Sequence, residues 1–250
     1  MQQPGDDTPT KSARTRALIL EHALRLFQEQ GFEKTTMRGI AEACDLSLGA
    51  AYYHFPSKEA LVLAFYQQGA VEARRHALGV LGESKDFITR LDAILRFRLE
   101  QLSPYRNLVG VLARQAADMA SPLSPFSPAT KAMRDDAIAL FAEAMDGSNL
   151  KVAKALAPHL PKLLWMMQLG IVLYWSNDRS AAQQRTNELL DQSLKMLRSL
   201  LRVTTLPLMG PVVQAATRLI RVAEACLLPG EAAMQTDTVT NNTSQEGRAL

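Results

Sequence analysis

From residue 14 onward, apolar residues recur at three- and four-residue intervals, the spacing that lines one face of an α-helix. In the segment 14–30, Ile19, Ala23, Leu26 and Phe27 share a face, with charged residues opposite. Gly31 follows as a stop, because glycine enters positive φ without a Cβ penalty. Thr35-Thr36 supplies an N-cap for a second helix, MRGIAEAC, in which Ile40, Ala41 and Cys44 point inward. Ser47 caps a very short third helix, LGAAYYHF, with Phe55 as its inward anchor. Pro56 ends that helix, since it has no N–H and its ring clashes with the preceding turn. Ser57 then opens SKEAL, a helix running towards about residue 81. Further helices are predicted over 86–102, 104–119, 128–145, 159–176, 181–202 and 211–227. They are separated by Ser-Pro pairs, Gly147-Ser148, Asn177-Asp178 and Pro207, and SPLSPFSP (121–128) reads as a proline-fixed loop. No useful stretch alternates with the two-residue period of a strand, and no repeat appears. The pattern predicts an all-α chain. It divides into a flexible tail (1–12), a head (13–60), a helical body (61–228) and a polar, Thr/Asn-rich tail (229–250) expected to be disordered.

Composition narrows the picture. At 47% hydrophobic and 21% charged over 250 residues, the chain is globular and long enough to bury a substantial core. A net charge of only +3 means that any nucleic-acid site must be a local patch. Cys44 and Cys226 are far apart, with no C-x-x-C pair and no Cys/His ligand spacing, so no metal site is expected and a reducing cytoplasm fits. The polar N-terminus is not a signal peptide. The greasiest run, LLWMMQLGIVLYW (163–175), is broken by Gln168 and Gly170 and is shorter than the ~20 residues of a bilayer span, so no membrane partner is expected. Enzyme signatures such as G-x-S-x-G, H-E-x-x-H and the phosphate-binding loop are missing, and no cofactor is implied. Asp135 and Asp136 are adjacent on a helix, about 100° apart, and cannot act as a facing carboxylate pair.

The chemistry sits in LSLGAAYYHFPSKEAL (46–61). Two short helices joined by a tight turn, after a longer first helix, outline a helix-turn-helix, whose second helix enters the DNA major groove. Gly49, Ala50 and Ala51 let the backbone approach phosphates. Tyr52, Tyr53 and His54 carry polar tips for base edges, thymine methyls and phosphate oxygens. Three adjacent residues at 100° steps cannot all face inward, and Tyr53 is the one expected outside. His54 has no second metal ligand at helical spacing. Lys58 combines a cation with a helix N-terminus, and both attract phosphate. Lys11, Arg14 and Arg16 read equally as a basic arm for DNA or as a solvated tail.

The run TTMRGIAEACDLSLGAAYYHFPSKEAL resembles the DNA-binding signature of the TetR (tetracycline-repressor-like) family: a Thr-capped helix, a four-residue turn, a Ser-x-Gly helix start, Tyr-x-His-Phe, then Ser-Lys-Glu-x-Leu. The likeness covers residues 14 to about 66. The turn departs from the pattern, with Asp45 where glycine is usual, and Asp tolerates the left-handed region. The resemblance implies a homodimer, each subunit with a three-helix head on a helical body for ligand binding and dimerisation. It would act as a transcriptional regulator, usually a repressor, that reads a palindromic double-stranded DNA operator and answers to a small-molecule effector. It also implies that Thr36 and Arg38 contact DNA from the second helix. Ser47, Gly49, Ala50, Tyr52, Tyr53 and His54 would sit at or near the groove, Leu48 would help to select the operator, and Lys58 would meet phosphate. The alternative is a helical ligand-binding or protein-interaction module that has lost DNA binding.

In the body, the run 163–175 is apolar nearly all round, so it needs cover on more than one side. With NELLDQSLKMLRSLL it resembles the family's four-helix dimer interface. That places Leu164, Leu169, Leu173, Leu190, Leu194, Leu197 and Leu201 at the interface, with an ordinary core helix pair as the alternative. Candidate walls for an effector pocket are Phe97, Tyr105, Met119, Phe126, Met133, Phe141, Trp165, Met166 and Tyr174, with Arg98 and Arg114 to orient an acidic group.

Overall fold

The computed structural model describes residues 10–116 and 118–227, and both ends of the chain, including the tail expected over 229–250, lie outside the described residues. Ten α-helices order the described chain: α1 (Lys11–Gln30), α2 (Met37–Ala43), α3 (Leu48–His54), α4 (Lys58–Glu83), α5 (Phe87–Leu102), α6 (Arg106–Ala116), α7 (Lys131–Met145), α8 (Leu160–Asn177), α9 (Gln184–Thr204) and α10 (Gly210–Leu227). Short 3-10 turns lead into α6, α7, α9 and α10. The chain is all-α, as its periodicity predicts.

Each helix of the head begins where a side chain can replace a missing backbone acceptor. The hydroxyl oxygens of Thr36, Ser47 and Ser57 accept the N–H groups of Gly39, Ala50 and Ala60 at 3.1, 3.1 and 3.2 Å. Thr10 does the same for Ala13, so α1 starts at Lys11, earlier than its apolar pattern indicates. Gly31 ends α1 at φ +88, and Asp45 holds the α2–α3 turn at φ +55, where its short polar side chain is tolerated. Ile19, Ala23, Phe27, Ile40, Ala41, Ala51, Phe55 and Leu61 close the head core.

Helix α4 runs unbroken from Lys58 to Glu83, so the boundary expected at residue 60 falls inside a helix. It packs on α1 in the head and on α5 and α7 in the body, while α8 packs on α6, α7 and α9. One apolar cluster therefore runs from Ile19 to Leu201. Two buried polar groups tie the body together. Arg90, 5% exposed, donates to the carbonyls of Leu81 and Ser84 at the end of α4, and to those of Ala144 and Asp146 at the end of α7. It thus satisfies carbonyls that both helices leave orphaned. The Asp178 carboxylate accepts from the N–H and hydroxyl of both Ser180 and Thr186, which fixes the start of α9. Arg106 donates to the carbonyls of Trp175 and Asp178.

Candidate DNA-binding site

Helix α3 is held by its inward residues and presents the rest. Ala51 is fully buried and Phe55 is 1% exposed, whereas Tyr53 is 83% exposed and Tyr52 48%. The Tyr53 and His54 rings meet edge to face at 5.2 Å, with His54 half-buried. Thr36, Arg38, Ser47 and Gly49 are exposed, and Ala50 is half-buried. The capping hydroxyls of Thr36 and Ser47 use an oxygen lone pair on the backbone, which leaves each O–H free to donate. At Gly49 an added Cβ would meet nothing closer than the Ser47 hydroxyl, at 4.0 Å, so no contact inside the head accounts for a glycine there. Arg16 lies in α1, not in an arm, with its guanidinium 4.4 Å above the centre of the Phe55 ring.

Two predicted DNA contacts have other work in the head. The Lys58 ammonium donates to the carbonyl of Phe32 at 2.7 Å and to that of Glu33 at 3.4 Å, and lies 4.5 Å from the centre of the Phe32 ring. In the free chain the cation ties the start of α4 to the α1–α2 connection, and two carbonyls use at most two of its three N–H donors. Leu48 is half-buried, packing partly against the head core at the start of α3.

Residues 19–65 match the model of the bacterial regulatory proteins of the tetR family, and residues 90–219 match the tetracyclin repressor-like C-terminal domain. The chain belongs to the TetR family. The Escherichia coli K12 transcriptional regulator UidR is 41% identical over 63 residues, 25% of this chain and 32% of UidR. The repressor KstR2 of Rhodococcus jostii is 48% identical over 59 residues, 24% of this chain and 28% of KstR2. The chain thus spans about a third, or less, of the length of these curated relatives. In fold it is similar to a tetR-family transcriptional regulator from Streptomyces coelicolor, with a TM-score of 0.61 at 17% identity over 96% of this chain and all of that one. It is also similar to Thermus thermophilus FadR, a repressor solved with lauroyl-CoA, with a TM-score of 0.55 at 22% identity over 76% of this chain and 95% of that one.

The effector-pocket candidates do not converge within this TetR-family body. Phe141 and Trp165 are core, and Trp165 meets Phe126 edge to face at 5.5 Å. Phe97, Met133 and Met166 are half-buried, Phe97 being stacked on His76 at 3.9 Å. Arg114 and Met119 are exposed. Tyr174 borders an open recess of about 620 Å3 with Leu173, Asp178 and Arg185. Only Arg98 and Tyr105 of the predicted set line a cavity of about 100 Å3 between α1, α4 and α5. Its other polar walls, Tyr66, Gln68, Glu72 and Gln101, are spread over two helices, and no local spacing marks them.

The interface candidates divide in the same way. Leu164, Leu190, Leu194 and Leu201 are buried in their own subunit, beyond a partner's reach, and Leu169 and Leu197 are half-buried against the same core. Leu173 stands outside, as do Tyr174, Leu189, Met196, Leu200 and Val203. Exposed apolar side chains thus lie on a different face of α9 from Leu190, Leu194 and Leu201, and also on α10, where Val212, Leu219 and Val222 stand outside. None of the helices among the described residues is long and apolar enough to cross a membrane.

Proposed function

We propose that the chain is a dimeric, small-molecule-responsive transcriptional regulator, acting in the cytoplasm as a repressor on a palindromic operator. The observation that carries the reading is Tyr53: a tyrosine left 83% exposed on a helix whose neighbours Ala51 and Phe55 are buried. A polar-tipped ring in that setting touches only the neighbouring His54 ring, packs on nothing in the core, and suits base edges and phosphates. Tyr52, Gly49, Ser47, Thr36 and Arg38 extend the same solvent-facing surface, with Arg16 beside it. In the dimer the two α3 helices address successive major grooves, about 34–36 Å apart.

Dimerisation would cover the exposed stripe of Leu189, Met196, Leu200 and Val203 on α9, together with Leu173 and Tyr174 on α8. An effector that binds one spacing of the heads more tightly than another would change operator affinity, and only by that difference in binding.

Duplexes from the DNA flanking the protein's own gene, titrated by fluorescence anisotropy against a scrambled duplex of equal length, test the reading. The expected result is tighter binding to one palindromic segment, at two subunits per site, with affinity falling as salt rises. Equal affinity for both duplexes would refute it.

A further inference from the structure

Gly69 stands in the middle of α4, where glycine is less stable than alanine. An alanine Cβ there would lie 3.0 Å from Arg98 Nη1. The missing side chain makes room for a guanidinium against bare helix backbone. Gln101 holds that guanidinium in place. Its Oε1 accepts from Arg98 Nη1 at 2.7 Å, and its Nε2 donates to the Gly69 carbonyl at 3.0 Å and to Glu72 Oε2 at 2.8 Å. Gln68 donates to the other Glu72 oxygen at 3.2 Å. Both ends of the Gln101 amide and both Glu72 oxygens are therefore engaged. Arg98 carries five N–H donors, and the bond to Gln101 is its one hydrogen bond among the described residues. Burial weakens the hold on its charge more than nearby Tyr66 and Glu72 restore it, and burial pushes the Tyr66 hydroxyl up to about 12. An under-compensated cation with spare donors thus lines a cavity of about 100 Å3. The apolar walls are Leu24, Phe65, Leu102 and Tyr105, with the Phe65 and Tyr105 rings meeting edge to face at 4.8 Å.

We propose that this cavity binds a small monocarboxylate, its carboxylate on the Arg98 guanidinium and its hydrocarbon part among Leu24, Phe65, Leu102 and Tyr105. An apolar cavity of about 150 Å3 holds benzene, so this one encloses about four non-hydrogen atoms, and its open side leaves room for the rest of a short chain. The planar fork of arginine matches a carboxylate, which accepts two parallel N–H bonds. Leu24 belongs to α1 of the head, and Gln28 on the same helix donates to the Pro104 carbonyl at 2.6 Å. The occupant would therefore sit at the seam between head and body. Its role as an effector rests on the regulator reading, whereas its binding does not.

The test uses the full chain without DNA. Butanoate, butanamide and butylamine are each titrated at millimolar concentrations by calorimetry, with two-dimensional NMR as a second readout. Butanoate is expected to bind at least about tenfold more tightly than the amide or the amine, the discrimination that one charge-assisted hydrogen bond gives. Arg98→Met should abolish binding, Arg98→Lys should weaken it, and Gly69→Ala should weaken it by displacing the guanidinium. Circular dichroism checks that each variant is folded. Equal binding of all three compounds by the wild type, no binding of butanoate, or full binding of butanoate by folded Arg98→Met would each overturn the proposal. With no DNA in the titration, a negative result leaves the operator reading intact, and failure of operator binding leaves this one standing.

Discussion

Truncating Tyr53 to alanine separates DNA contact from folding. The side chain is 83% exposed, so about a sixth of the ~200 Å2 that a tyrosine can bury is covered in the free protein. At ~25 cal/mol per Å2 that is at most about 1 kcal/mol, offset by the roughly 0.5 kcal/mol better helix propensity of alanine. Stability should therefore change by less than about 0.5 kcal/mol. A base-edge or phosphate contact is worth about 1–3 kcal/mol, which raises the operator Kd by roughly 5- to 150-fold. The salt slope should stay as it is, because a neutral ring releases no counterions. Two residues on, Phe55 reverses the outcome. It is 1% exposed, and Phe55→Ala should cost about 3–5 kcal/mol of stability through the cavity it leaves. Operator and scrambled duplexes titrated by anisotropy, beside urea unfolding of the same preparations, give both quantities. Folded Tyr53→Ala that binds the operator within twofold of wild type would refute the assignment of α3 as the reading helix. An equal loss on both duplexes would show that Tyr53 carries no sequence information.

Arg90→Ala should destabilise the body by about 3 kcal/mol in urea unfolding, because four carbonyls at the ends of α4 and α7 lose a charged donor that water only partly replaces; a loss under about 1 kcal/mol would refute this. The Asp178 carboxyl is held well below the usual carboxylate range, first by the Ser180 N–H and then by the Ser180 hydroxyl and Thr186, and Asp86 is lowered chiefly by the Thr89 N–H. A lowered folded pKa gives stability that is complete above the unfolded value of about 3.9 and is lost as pH falls below it, so thermal melts should be level from neutrality to about pH 5 and drop below pH 4. An Asp178→Asn variant with an unaltered acid limb would sink that account. Met196→Glu should yield folded monomers by analytical ultracentrifugation, since Met196 is exposed on the outer face of α9. Leu194→Glu, at a buried position on the inner face, should unfold the subunit instead.

The head was largely legible in the sequence. Thr36, Ser47 and Ser57 act as caps through bonds that span three residues, Pro56 stops α3 through its own ring, and Asp45 turns the chain through its own φ. Such determinants are local, so one stretch of sequence contains cause and effect together. The body helices were legible for the same reason, their limits falling within a few residues of the apolar pattern. Which face of a helix meets what was not. A leucine stripe on α9 fits a core or a partner equally well, and only the approach of α5 and α8 put Leu190, Leu194 and Leu201 inside and left Met196 and Leu200 outside. Lys58 has the charge for phosphate, but the fold brings the carbonyls of Phe32 and Glu33 to its ammonium from 25 or more residues away. Arg90, Gly69 and Arg98 gain their roles from partners on other helices, and no spacing within one segment encodes those. The sequence by itself determined the helices and their ends, because hydrogen bonds and dihedral limits act over a few residues. The tertiary structure decided which charges are committed, which leucines are covered and where a cavity remains, because burial depends on every neighbour at once.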